Sequence, residues 1–303
     1  AAVQYQINFT RANEREADAL GINLLSKSGF DPNGMSDFFG RMMKASRYSD
    51  PKLVPEYLRT HPLSVNRIAE ARSRAENLKK TVRREQSFTY SLVWAKLRAL
   101  SEPDPRNALQ FFEDKIKESD QTSVLANRYG RAIAYRTNND FSSARKEIGQ
   151  LVDKYPTEVP FLLEAARLEN QAGNFRQAFF YFSKAYKENP SYRAAVYGLV
   201  ESALILGNGK IAKRVLDEYK FSGSIDYKFY KLMGETLDKL NMIVDSRMAI
   251  AEHYAEIGET ALAAEQLRVA RANPDVNNYQ RQKIVARLYQ LEKDLLEEGK
   301  KKR

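Results

Sequence analysis

Glu14 and Asp18 are the two side chains best spaced for chemistry in this chain. They stand four residues apart in the run Asn13-Glu14-Arg15-Glu16-Ala17-Asp18, so on a helix they share one face, a turn apart. One carboxylate of such a pair can ligate a metal while the other orients a neighbouring ligand. The same spacing also suits two solvated carboxylates, because acidic groups early in a helix complement its dipole. An E-x-x-x-D pattern alone does not separate these readings. The sequence has no H-E-x-x-H, no cysteine, and only two histidines, His61 and His253. A catalytic zinc takes about three protein ligands and keeps a position open for water. This sequence does not supply that set in a familiar spacing.

The elements that must position the pair can be read outward from it. The run from Thr10 to Leu25 has helical character and carries both carboxylates. Ser28-Gly29-Phe30-Asp31-Pro32 ends it, and a second helix follows with Met35, Phe38, Phe39 and Met42. Pro51 and Pro55 predict an irregular loop over roughly residues 48–60. His61 precedes Pro62, which biases it to an extended conformation. Thr60-His61-Pro62-Leu63-Ser64-Val65-Asn66-Arg67 then leads into the next helix. Arg67 can serve as a partner for a carboxylate near a cleft, or can simply cover a helix surface.

Taken together, Glu14 to Asp18, the Ser-Gly-Phe-Asp-Pro turn and the Thr-His-Pro segment resemble the HtpX and CAAX-protease group of zinc metallopeptidases. The order of elements is most similar to the periplasmic, tetratricopeptide-bearing, BepA-like members. The resemblance covers roughly residues 1–80 by motif and the remainder by architecture. It implies that Glu14 is a zinc ligand and that Asp18 orients a histidine this chain does not contain. It implies a place near the zinc for His61, either restraining the bound water or hydrogen-bonding charge that develops on substrate. Arg67 matches a recurrent basic residue of the same motif. In this group an H-E-x-x-H helix precedes the E-x-x-x-D helix. Its absence predicts a fragment of a longer protein, and predicts no stoichiometric zinc and no proteolysis for this chain alone.

The second half repeats. Ala144, Ala178 and Ala212 are each 34 residues apart, as are Asn139, Gly173 and Gly207. Phe141 and Phe175 keep the spacing, and so do Pro156 and Pro190. Small residues at a helix crossing and proline at the exit, on this period, are the tetratricopeptide signature. An earlier pair is predicted at about 87–101 and 106–119, and residues 225–240 read as a degenerate helix. The last clear unit holds Tyr254, Gly258, Ala263, Leu267 and Ala270, and a helix over roughly 277–298 caps the stack. The fold class is therefore all-α: C-terminal helices of a metallopeptidase domain over 1–80, then a tetratricopeptide α-solenoid over 81–303. A partner groove on the first helices of the repeats is predicted from Tyr129, Ile133 and Arg136, then Leu163, Arg167 and Asn170, then Tyr197 and Glu201. Tyr, Arg and Asn on one face suit recognition of an extended segment. His253 reads as structural or exposed.

Composition bounds the rest. The formal net charge is +10, of which the terminal Lys300-Lys301-Lys302-Arg303 contributes four. The remaining charge is interspersed with acidic residues, with no Gly-rich phosphate loop and no dense basic stripe, so no nucleic-acid partner is predicted. The surplus fits acidic partners or peripheral association with anionic lipid. The absence of cysteine excludes disulfides and thiol catalysis. No apolar run approaches a membrane span. The resemblance implies a parent zinc metalloendopeptidase in the periplasm of a Gram-negative bacterium. It would act in outer-membrane protein quality control, with protein substrates and the β-barrel assembly machinery as partners. The alternative is a non-catalytic tetratricopeptide adaptor that carries a peptidase remnant.

Overall fold

The computed structural model describes residues 2–48, 64–78, 87–118, 121–222 and 225–301, and among these every regular element is a helix. The chain divides into two units, Ala1–Ser87 and Phe88–Arg303. The predicted boundary at residues 80 and 81 lies outside the described residues.

In the first unit, α1 (Ala2–Lys27), α2 (Asn33–Tyr48) and α3 (Val65–Asn77) follow in order. Gly29 closes α1 in the left-handed region, at φ 78°. Its N–H bonds the Ser26 carbonyl at 3.0 Å, and the Phe30 N–H bonds the Leu25 carbonyl at 2.9 Å. Those two bonds satisfy carbonyls the helix end would otherwise strand. Asp31 Oδ1 accepts the Asn33 N–H at the start of α2, and Ser64 Oγ accepts the Arg67 N–H at the start of α3. Ile22, Phe39 and Ala71, one from each helix, form the buried centre. Gly21 lets α1 and α2 approach, since a Cβ there would lie 2.7 Å from Met35 Cε.

The second unit stacks helix pairs. Its helices are α4 (Phe88–Ser101), α5 (Pro105–Glu118), α6 (Gln121–Thr137), α7 (Phe141–Lys154), α8 (Val159–Gln171) and α9 (Phe175–Glu188). There follow α10 (Arg193–Ile205), α11 (Gly209–Ser222), α12 (Tyr227–Lys239), α13 (Ile243–Glu256), α14 (Thr260–Ala272) and α15 (Asn278–Lys301). Asn139, Gly173, Gly207 and Asn241 recur every 34 residues, and all four have positive φ. Each sits in the turn within a pair, where the next N–H reaches five residues back: Asp140 to Tyr135, Asn174 to Glu169, Asn208 to Ala203, Met242 to Leu237. Asn tolerates this conformation better than other side-chain-bearing residues, and Gly bears no penalty. The segment that read as degenerate, residues 225–240, is thus a regular first helix with a regular turn. The period then breaks, because Gly258, at φ 81°, comes half a period after Asn241. Helix α13 consequently pairs with both α12 and α14.

Close packing explains the small residues. Ala144, Ala178 and Ala212 are at most 1% exposed. Gly198 on α10 receives the Phe182 ring of α9, and a Cβ there would stand 2.2 Å from Phe182 Cε1. Gly130 receives Phe112 in the same way. Gly149, within α7, has nothing within 4 Å of its would-be Cβ. The two glycines predict opposite signs. Gly198→Val should cost about 1–3 kcal/mol through overpacking. Gly149→Ala should gain about 0.5–1 kcal/mol by restricting the unfolded chain and favouring helix. Denaturant midpoints of the two variants against the parent chain check both.

Candidate functional site

The first candidate site is a guanidinium held between two carboxylates. α1 presents Glu14 and Asp18 on one face, and the Ser64 cap sets where α3 starts and so where Arg67 projects. Arg67 donates from Nε and from one terminal nitrogen to the two oxygens of Asp18, both at 2.9 Å. Its other terminal nitrogen donates to Glu14 Oε2 at 2.9 Å. The three side chains are only 10%, 13% and 14% exposed, for Arg67, Glu14 and Asp18 in turn. The Phe39 ring lies under the guanidinium, with Cζ 5.1 Å from its centroid. Planar bidentate geometry of this kind is a property of arginine that a lysine ammonium cannot reproduce.

The arrangement answers the sequence expectation in part. Glu14, Asp18 and Arg67 are brought together, and Glu16 stays exposed. His61 lies outside the described residues. Asp18, expected to orient a histidine, gives both oxygens to Arg67. Among the described residues no three His, Cys, Asp or Glu side chains group closely enough to hold a metal. A catalytic zinc needs about three protein ligands, and the described residues do not bring three such side chains together.

The second candidate site is a cleft on the first helices of the repeats. Arg167 and Asn170 of α8, Tyr197 and Glu201 of α10, and Asp226 and Lys228 at the start of α12 border about 450 Å³ of space. Four of these are predicted groove residues. Tyr129, Ile133 and Leu163 are at most 2% exposed and belong to the core instead. Sequence spacing placed them on the right helices, but an inward face and a groove face lie side by side there. Arg136 bonds Glu164 and, at 2.9 Å, Gln171. His253 places Nδ1 2.9 Å from the Tyr227 carbonyl oxygen, a structural contact.

Sequence reasoning missed Glu164, Arg193, Asp226 and Lys228. Their signal was complementary partners about one repeat apart. Arg193 donates to Asp226 Oδ2 at 2.9 Å, the Tyr197 hydroxyl donates to Asp226 Oδ1 at 2.8 Å, and Lys228 pairs with Glu201 at 2.7 Å. Asp226 also caps α12, accepting the Lys228 and Phe229 N–H groups at 3.0 Å. Burial pushes the Tyr197 phenol up, and its bond to Asp226 pushes it further. Burial alone would raise the Asp226 carboxyl too. The Tyr197 hydroxyl, the Phe229 N–H and Arg193 outweigh burial and hold it below its ordinary value.

Comparison with known proteins bears on the first site most directly. Residues 1–75 match the sequence profile of peptidase family M48. The chain is 30% identical over 290 residues to the β-barrel assembly-enhancing protease of Escherichia coli (strain K12), an alignment covering 95% of this chain and 58% of that protein. The chain therefore spans little more than half the length of that relative. A mitochondrial metalloendopeptidase of Schizosaccharomyces pombe is 33% identical over 94 residues, 31% of this chain and 27% of that one. Among solved structures, a tetratricopeptide repeat protein from Parabacteroides merdae aligns with a TM-score of 0.43 at 14% identity, covering 90% of this chain and 98% of that chain.

Two outcomes follow from the geometry. Arg67→Ala leaves two shielded carboxylates facing each other, and should cost the first unit about 3 kcal/mol. Arg67→Lys should restore little of it. Amide hydrogen exchange across residues 12–27 and 65–77 reads the loss. In the second unit, a carboxyl held below its ordinary value of 3.8 contributes its full stabilisation above that pH and loses it below, as the pH falls through the lowered folded-state value. Asp226→Ala should therefore cost about 1–2 kcal/mol near neutrality through the lost cap. Its stability difference from the parent should shrink as the pH is lowered to about 3, which urea titrations at stepped pH will measure.

Proposed function

We infer that residues 1–75 belong to peptidase family M48, whose profile they match, and we propose that the whole protein is a periplasmic zinc metalloendopeptidase of a Gram-negative bacterium. Its task is quality control and assembly of outer-membrane β-barrel proteins, and its repeats dock substrate or the assembly machinery. The observation that carries the reading is the Arg67 fork. It fixes Glu14 and Asp18, a turn apart on α1, within the segment that the peptidase profile matches. Glu14 is the carboxylate we assign to the metal, and zinc is the ion typical of this chemistry. Arg67 sets the rotamer and offsets the charge of that carboxylate, and Asp18 anchors Arg67. The name of the Escherichia coli relative joins proteolysis to β-barrel assembly, and its similarity runs through both units. The repeats support a docking role because stacked helix pairs make an extended surface and because the cleft lined by Arg167, Asn170 and Tyr197 lies on it.

The test is Glu14→Ala in the whole protein. Zinc content after dialysis and hydrolysis of an unfolded β-barrel substrate should each fall below about a hundredth of the parent value, with the helical circular-dichroism signal retained. Undiminished zinc and cleavage would refute the assignment of Glu14. A whole protein that binds β-barrel substrate without zinc or cleavage would favour a non-catalytic adaptor.

A further inference from the structure

Basic residues are dispersed along the sequence, but the 34-residue period gathers them on one set of helices. The second helices of three successive units, α7, α9 and α11, carry ten basic residues against five acidic ones. The first helices of the same units, α6, α8 and α10, carry five against three. Most acids of the second helices are already engaged. Glu147 is held by Arg128 and Arg131, Glu218 accepts the Tyr186 hydroxyl, and Asp217 pairs with Lys213 at 2.6 Å. Of the acids on these helices, that leaves Asp153 and Glu188.

The exposed cations share a face. On α9, Arg176, Phe180, Lys184 and Lys187 recur at helical spacing, and all four are exposed. One repeat away, Phe180 aligns with Lys146 and Arg214, Arg176 with Lys210, and Lys187 with Phe221. Stacked units put equivalent positions on one side of the array, so the three helices present a basic face that carries two phenyl rings. Phe221 is 88% exposed and Phe180 46%. Lys184 Nζ lies 4.6 Å from the centroid of the Phe180 ring.

Exposed phenyl rings set among lysines match the chemistry of an anionic lipid interface. The rings gain by leaving water for the acyl boundary, while lysine stems carry their ammonium groups out to headgroup phosphates. A nucleic acid would use the rings differently, by stacking bases on them. Phe180 and Phe221 are offset by one repeat and by two helical turns, about 10 Å along the helix. That offset is wider than the step of about 3.4 Å between stacked nucleotides, so the two rings suit separate insertion better than a run of bases.

We propose that the face of α7, α9 and α11 seats the repeats on an anionic phospholipid surface. Phe180 and Phe221 enter the interface, and Arg176, Lys184, Lys187 and Lys210 meet the phosphates. The inference goes beyond the peptidase reading and does not depend on it, because no residue of the first unit takes part.

The whole 303-residue chain is sedimented with vesicles of phosphatidylcholine alone and with vesicles half of phosphatidylglycerol. Binding should require the anionic lipid and weaken as salt is raised. The triple variant Lys184→Gln, Lys187→Gln, Lys210→Gln should bind at least about tenfold more weakly. Phe180→Ser with Phe221→Ser should lose roughly tenfold as well, with the helical circular-dichroism signal retained in both. Lys300 to Arg303 would also draw the chain to anionic lipid, so every variant keeps them. A control triple on α15, Arg281→Gln, Lys283→Gln, Lys293→Gln, removes the same charge elsewhere and should bind nearly as the parent does. Equal loss in the two triples, unchanged binding of the phenylalanine pair, or no preference for anionic vesicles would overturn the proposal. Tighter binding to a single-stranded oligonucleotide than to the anionic vesicles, lost in the same variants, would overturn it in favour of nucleic acid.

Discussion

The repeats from α6 to α14 are governed by one backbone constraint: the chain reverses between paired helices through a single residue in the left-handed region. At Asn139, Gly173, Gly207, Asn241 and Gly258 the φ angle lies between 59° and 81°. That residue lets the following N–H reach back to a carbonyl in the last turn of the preceding helix. The reversal ends one helix and starts the next within three residues, so the two must lie side by side. Alanine and glycine at the crossings then follow, because only small residues permit that approach. Change the reversal and the crossing positions lose their reason.

The half-period between Asn241 and Gly258 shows how the same constraint accommodates an irregularity. An ordinary unit uses one reversal every 34 residues, but here two reversals flank a single helix, α13. That helix must present apolar residues on two sides. Ser246 turns toward α12, where its hydroxyl donates to the Gly234 carbonyl at 2.9 Å, and Ala251 joins Ala263 and Leu267 in a second cluster. The main core runs from Leu92 to Leu232 and a separate one from Val244 to Leu291. The array is continuous in packing, yet its apolar interior is divided where the phase slips.

Much of this was legible because repeats write the same physics several times. Ala144, Ala178 and Ala212 announced the crossings, and Gly173 and Gly207 announced the reversals. Asn241 completes the series as Asn139 begins it, with asparagine in place of glycine at the positive φ. The Arg67 fork was less legible. Its partners stand 49 and 53 residues away, and no local period links an arginine to carboxylates on another helix. Resemblance to a peptidase motif placed Glu14, Asp18 and Arg67 in one motif; only the fold supplies the bonds. Tyr129, Ile133 and Leu163 failed as groove residues for a related reason. Adjacent stripes on one helix face core and cleft, and an apolar residue at their border goes inward, where burial is worth about 25 cal/mol for each Å².

The same logic gives the basic composition a structural meaning. Several acidic side chains of this chain are shielded from water, and arginines meet them: Arg67 at Glu14 and Asp18, Arg128 and Arg131 at Glu147, Arg145 at Glu169. Each of these pairs links different helices, so the charge serves as cross-bracing whose loss would strand a buried ion. At Glu169 the bond from Arg145 and another from Asn174 overcome burial and hold the carboxyl below its ordinary value. Glu164 departs from the pattern. Its burial is deeper, but one oxygen accepts no bond while Arg136, Arg167 and Lys96 crowd around it. A brace needs only enough cation to balance its acid. At Glu164 one oxygen carries the whole brace, through Arg136, so that contact is the one on which the buried charge depends.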